Sequence, residues 1–147
     1  MPATSARDLI NRLGLAPHPE GGWFRQTWCA PAPEGQRPAG TLIHFLLETG
    51  QRSHWHRVDA EELWLWQGGD AIELAISVDD TGPVSTLRLG PDPLSGDLLQ
   101  GVVPTGHWQA ATPCGGEHGY ALVSCAVMPG FTFDGFELAP EGWAPGG

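Results

Sequence analysis

Charge is scarce in this chain. Charged residues make up 16% of its 147 positions, with 7 basic against 17 acidic side chains and a net charge of -10. An acidic surface repels phosphate backbones, so no nucleic-acid partner is expected. Arg25, Arg37, Arg52 and Arg57 still leave a locally basic, phosphate-bearing small-molecule site open. Cysteine is scarce too, and Cys29, Cys114 and Cys125 form an odd set without a CxxC pair. That fits neither a disulfide framework nor a zinc ribbon; reduced, partly buried thiols in the cytoplasm are the simplest expectation. No segment approaches ~20 apolar residues, so no membrane span is expected. The start lacks a basic region followed by an apolar run, so no signal peptide is expected either.

Glycine and proline, by contrast, are plentiful: 21 Gly and 14 Pro, with no repeat or low-complexity block. They read as turn residues of a β protein. Seven Trp against one Tyr give aromatic mass with a single N–H donor per ring. The length suits one domain, residues 1–147. A short helix is expected first, with Ser5 as its cap and Asp8 answering it, Leu9, Ile10 and Leu13 on one face, and Gly14 at its end. Pro17 to Gly22 reads as a rigid loop and residues 30–40 as an exposed one. Strands are expected over 23–28, 41–48, 62–66, 71–78, 84–89, 98–103, 107–111, 120–127 and 131–138, with a loose tail over 140–147. Many short strands without intervening helical segments point to an all-β sandwich or barrel.

The densest polar cluster runs from Ser53 to Glu62. His54 and His56 stand two apart, which on an extended strand places them on one side. Glu62 opens the next strand and shares its face with Trp64 and Trp66. Two imidazoles and a carboxylate make a reasonable divalent-metal set with open positions. Equally, one His can sit at the rim while the other makes a structural hydrogen bond. A second cluster follows the Pro104-Thr105-Gly106 turn, where Gln109 is a neutral donor and acceptor that needs a partner if buried. Glu20 and Arg25 bracket the Pro-bounded loop, either over a barrel mouth or as a surface ion pair. The Trp rings either stack on a ligand or fill the core.

The order HxH, acid, Gly and then PxG about forty residues later resembles the two motifs of the cupin superfamily. Further strings resemble its small single-domain branch, long catalogued as of unknown function. These are His18-Pro19-Glu20-Gly21-Gly22-Trp23-Phe24-Arg25, Ser53 through Glu62 with Trp64 and Gly69-Asp70, Val102-Val103-Pro104 with Trp108-Gln109-Ala110, and Leu122-Val123-Ser124-Cys125 with Pro129-Gly130-Phe131. They span about residues 9–139. The resemblance implies a double-stranded β-helix, or jelly-roll barrel, with a short N-terminal helix. It also implies a homodimer, whose pairing would protect edge strands. It carries the metal ligands of the family onto His54, His56 and Glu62. The fourth position falls on Gln109, a poor ligand beside imidazole, and Glu61 rather than Glu62 would restore the common spacing. Weak or absent divalent metal is therefore expected.

Three functions compete. An isomerase or epimerase acting on a sugar-like or nucleotide-sugar-like metabolite would move protons with His56 and Glu62, and would hold its ligand with Glu20, Arg25, Ser53, Trp64, Trp66 and Gln109. A metal-dependent oxygenase or lyase would use His54, His56 and Glu62. A ligand-binding module would have no chemistry at all.

Overall fold

Turn residues cut the chain into short extended segments. A computed structural model describes residues 5–147 and shows how they are arranged. Helix α1 (Ala6–Leu13) comes first. The Ser5 hydroxyl accepts the Asp8 N–H and the Asp8 carboxylate accepts the Ser5 N–H, the expected reciprocal cap, and Gly14 ends the helix in the left-handed region at φ 68°. The strands are β1 (Ala16–Pro17), β2 (Trp23–Cys29), β3 (Thr41–Glu48), β4 (Ser53–Val58), β5 (Glu61–Gly69), β6 (Ile72–Ser77), β7 (Ser85–Leu89), β8 (Gln100–Val103), β9 (Trp108–Pro113), β10 (Tyr120–Met128) and β11 (Phe136–Leu138). No described helix is long and apolar enough to cross a membrane.

The strands form two antiparallel sheets. One runs β1-β2-β3-β10-β5-β8 and the other β11-β4-β9-β6-β7. Alternate residues of each sheet face inward, and Phe45, Leu47, Trp64, Ile72, Leu74, Val123 and their neighbours fill the space between them. Helix α1 packs Ile10 and its neighbours on the outside of the first sheet, against Leu46 and Tyr120. This is the jelly roll that the resemblance implied, and the all-β architecture that the punctuated strand series pointed to.

Two segments depart from expectation. Residues 131–138 are not one strand. Phe133–Gly135 is a 3-10 turn, because the Thr132 hydroxyl accepts the Gly135 N–H at 3.1 Å and closes the chain on itself. Only β11 beyond it pairs with β4. The tail, expected to be loose, lies against the outer face of the second sheet. The Trp143 ring sits 4.5 Å from that of Trp108, beside Ala110 and Ala139, and the Gly146 N–H donates to the Asp80 carbonyl at 2.8 Å. An apolar outer face carrying Trp55 and Trp108 gives the tail something to cover. Of the three thiols, Cys125 is buried and Cys29 and Cys114 are exposed.

Candidate functional site

The site is assembled where the 18–22 loop meets the inner faces of β4, β5 and β9. The loop is tied by Gly21 N–H to His18 carbonyl and His18 N–H to Gly22 carbonyl, both at 3.0 Å, and the His54 N–H donates to the Glu20 carbonyl at 2.8 Å. Gly21, at φ 112°, lies so close to β4 that a Cβ there would overlap the Arg52 carbonyl oxygen. This close approach carries Glu20 inside. Its carboxyl accepts the Ser53 hydroxyl and lies 3.5 Å from His56 Nε2 and 3.3 Å from His18 Nδ1.

Strand β4 carries an irregularity that decides which histidine enters. Ser53 pairs with Ala111 and His56 with Gln109, so β4 spends three steps where β9 spends two. The extra residue is a β-bulge, and it shifts the alternation. Ser53 and His56 both face inward and are buried. His54 is turned away, its Nε2 2.9 Å from the Pro140 carbonyl on the outer side. The expectation that His54 and His56 share a face is therefore corrected. The His56 Nδ1 lies 2.7 Å from the His54 carbonyl, which can only accept; the ring proton therefore sits on Nδ1 and leaves Nε2 facing Glu20.

Glu62 faces inward at 7% exposure, whereas Glu61 faces solvent and accepts the Thr105 N–H at 2.9 Å. Gln109 links Glu62 to Trp64. Its amide donates to Glu62 Oε1 at 2.9 Å, and its carbonyl accepts the Trp64 indole N–H at 2.8 Å. Both ends of the amide are engaged. Trp66 shares the inward face but lies about 13 Å along β5 from Glu62, at ~3.3 Å per residue; its N–H donates to the Asp70 carbonyl at 3.0 Å. Arg25 is also placed away from the site. It is exposed, and its guanidinium donates to the Leu13 carbonyl at the end of α1 at 3.3 Å.

A cavity of about 80 Å³ opens beside Glu62. Its walls are Phe24, Phe131 and Phe133, with Ile43 and Val127; Trp64 and Trp66, offered as ligand-holding rings, are not among them. Thr41, Gln26 and His18 add polar groups to the lining. His56, Glu20, Ser53 and Gln109 do not line the cavity: Gln109 reaches it through its bond to Glu62, and His56 and Ser53 meet Glu20. The residues that sequence reasoning did not single out are His18, Cys125, Phe131 and Phe133. The first was signalled by its place two residues before Glu20 in the Pro-bounded loop; Cys125 enters only through the pairing of β10 with β5, which sets it opposite Trp64.

Burial sets the charge of this cluster. Desolvation raises Glu20 to about 8, against the smaller opposing hydrogen bond from Ser53. It raises Glu62 to about 7, with His56 and the Gln109 bond opposing and Glu20 reinforcing. It lowers His18 to about 4, helped by repulsion from His56, and lowers His56 against the attraction of Glu62. The Cys125 thiol beside Glu62 is pushed well up by burial and so stays protonated.

These shifts make stability depend on pH in a defined direction. The folded chain keeps protons on Glu20 and Glu62 that the unfolded chain releases near 4.5. Their contribution is therefore present at low pH and is lost as pH rises to 7 and 8. His18, neutral in the fold down to about 4, has the opposite effect, confined below its ordinary value of 6.5. Between pH 6.5 and 8 the carboxyls dominate, opposed only by the tail of the His18 and His56 titration in the unfolded chain. Stability is expected to fall there by about 2 kcal/mol, and Glu20→Gln to remove most of the slope. Urea unfolding at several pH values measures it.

A family model described as Cupin superfamily (DUF985) matches residues 7–139. The chain belongs to the cupin superfamily. This cupin is similar to protein SO0799 from Shewanella oneidensis, with 36% identity, 92% of this chain and 85% of that one covered, and a TM-score of 0.84. It is 29% identical to the uncharacterized protein YML079W of Saccharomyces cerevisiae, over 90% of this chain and 74% of the yeast one. Oxalate decarboxylase of Bacillus subtilis shares the fold, with a TM-score of 0.61 at 15% identity, over 85% of this chain and 30% of that one.

The metal set that the family resemblance implied does not fit this cupin's geometry. His54 points out of the barrel, and the fourth position is a Gln whose two amide atoms already hold Trp64 and Glu62. Among the described residues no three His, Cys, Asp or Glu side chains are arranged to hold a metal ion.

Proposed function

We propose that this cupin binds a small polar metabolite in the cavity at Glu62 and moves a proton on it, as an isomerase or epimerase does. One observation carries the reading: a carboxyl raised to about 7 lies on a cavity wall, backed by a buried imidazole with its tautomer fixed. Such a group takes and returns protons at neutral pH. The chemistry needs no co-reactant. Glu62 removes a proton from a carbon beside a carbonyl, the C–H electron pair becomes a C=C bond, and the carbonyl oxygen gains a proton. Returning the carbon-bound proton to the former carbonyl carbon while the hydroxyl on the other carbon loses its proton yields the isomer; returning it to the other face of the same carbon while the enol O–H loses its proton yields the epimer. Burial raises Glu62, and His56 and Glu20 act on it with smaller, opposite effects.

The cavity's about 80 Å³ is several-fold below the ~300–1,000 Å³ of sites that take drug-sized ligands, which favours a small sugar-like compound over a nucleotide sugar. The test is incubation with a panel of small carbonyl metabolites in D₂O, read by proton NMR. Enzyme-dependent loss of the C–H signal beside the carbonyl supports the reading. Saturable binding with no exchange would leave a binding module instead. The homodimer belongs to this proposal too: β1, β8, β11 and β7 end the two sheets and have edges to protect.

A further inference from the structure

We infer that the cavity takes an uncharged hydroxycarbonyl compound of a few carbons, with His18 Nε2–H as the donor to its carbonyl oxygen and Glu62 as the base. The inference rests on the proton-transfer reading and narrows it to a substrate class and a further catalytic residue.

Charge gives the first argument. All seven basic residues of the chain are arginine, and none lines the cavity. Arg37 pairs with Asp59 and donates to the Gly130 carbonyl, and Arg57 pairs with Glu137, all on the outside. A phosphate or carboxylate on the ligand would be buried beside Glu62 with no cation to meet it, which low-dielectric surroundings penalise heavily. An uncharged ligand avoids it.

The tautomer of His18 gives the second. The Glu20 backbone N–H donates to His18 Nδ1 at 3.1 Å, so Nδ1 bears the lone pair and the ring proton sits on Nε2. His18 is buried, and edge-on contact with Phe24, ring centroids 4.4 Å apart, fixes the imidazole plane. Burial also keeps the ring uncharged well below neutral pH. A neutral imidazole donor facing the same cavity as a carboxylate base is an established pairing for enolisation: the imidazole polarises the carbonyl while the carboxylate takes the proton. The proton leaves carbon for Glu62, the C–H electron pair forms the C=C bond, and the oxygen takes a proton from Nε2, which regains one when the carbonyl re-forms.

The rest of the lining suits a hydroxylated carbon chain. The Thr41 hydroxyl accepts the Phe131 N–H at 2.9 Å and keeps its own proton to donate. Phe24, Ile43 and Phe133 meet the carbon skeleton.

The experiment uses the whole chain in D₂O with glyceraldehyde, dihydroxyacetone and erythrulose, their phosphate esters, and the cation aminoacetone, followed by proton NMR. Exchange is expected into the uncharged compounds at least ~10-fold faster than into their esters. His18→Phe, which keeps a ring and loses the N–H, should lower kcat by about 10²-fold or more, with His18→Gln recovering part of it. Preference for the phosphate esters or for aminoacetone would overturn the substrate class and leave proton transfer standing. Unchanged kcat in His18→Phe would overturn the role of His18. Exchange into none of the compounds would overturn both this inference and the proton-transfer reading.

Discussion

Glu62→Gln will slow deuterium exchange by about 10²–10⁴-fold, the usual worth of a positioned general base. The amide is nearly isosteric with the carboxyl, and its oxygen still accepts the Gln109 N–H that now meets Glu62 Oε1 at 2.9 Å. What is lost is the ability to take a proton. The substitution also removes a buried acid held near 7 by desolvation, so at pH 8 the variant should be no less stable than the parent. Loss of exchange together with retained stability separates chemistry from folding. A rate within a few-fold of the parent would show that Glu62 is not the base.

The second large effect is on stability. Trp64 is 1% exposed, stands edge-on to Phe45 with ring centroids 5.9 Å apart, and belongs to the core between the sheets. Trp64→Ala is expected to cost about 3–5 kcal/mol, from lost burial and the cavity left behind. Trp64→Phe retains most of the bulk but strips the buried Gln109 carbonyl of its donor, now 2.8 Å away, at a cost of about 1–3 kcal/mol. Its further consequence reaches function. Gln109 is oriented by the indole N–H, and in that orientation its own N–H steadies the ionised form of Glu62. Trp64→Phe should therefore raise the pH midpoint of the exchange reaction as well as lower the melting temperature. Urea unfolding and a pH–rate profile on the same variant test both halves.

Much of the fold was legible because local chemistry and tertiary structure agree. Ser5, Asp8 and Gly14 specify a helix with both ends closed, and the structure has it. Gly and Pro bound most of the strands at the expected places, since positive φ and a missing N–H act locally. The site was less legible where long-range pairing decides. A two-residue spacing predicts one face for His54 and His56, but the bulge opposite Gln109–Ala111 belongs to the pairing of β4 with β9, and neither strand alone reveals it. Phe131 and Phe133 alternate like strand residues, yet a hydroxyl-closed turn makes them the wall of the cavity. The choice of Glu62 over Glu61 was accessible, because Glu62 shares parity with Trp64, and parity survives along β5 at that point. His18 offered no signal beyond its place two residues before Glu20 in the Pro-bounded loop. Its value comes from the Glu20 backbone N–H that fixes its tautomer, a contact made only when the loop folds back on itself.

The proton-holding state of the site is open to direct observation. Carbon-13 labelling of glutamate side chains, with Glu20→Gln and Glu62→Gln used to assign the two signals, follows each carboxyl through a pH titration. Midpoints near 8 for Glu20 and near 7 for Glu62 are expected. Midpoints for both in the ordinary range near 4 would mean two carboxylates already ionised at neutral pH, and would contradict a site poised to exchange protons there.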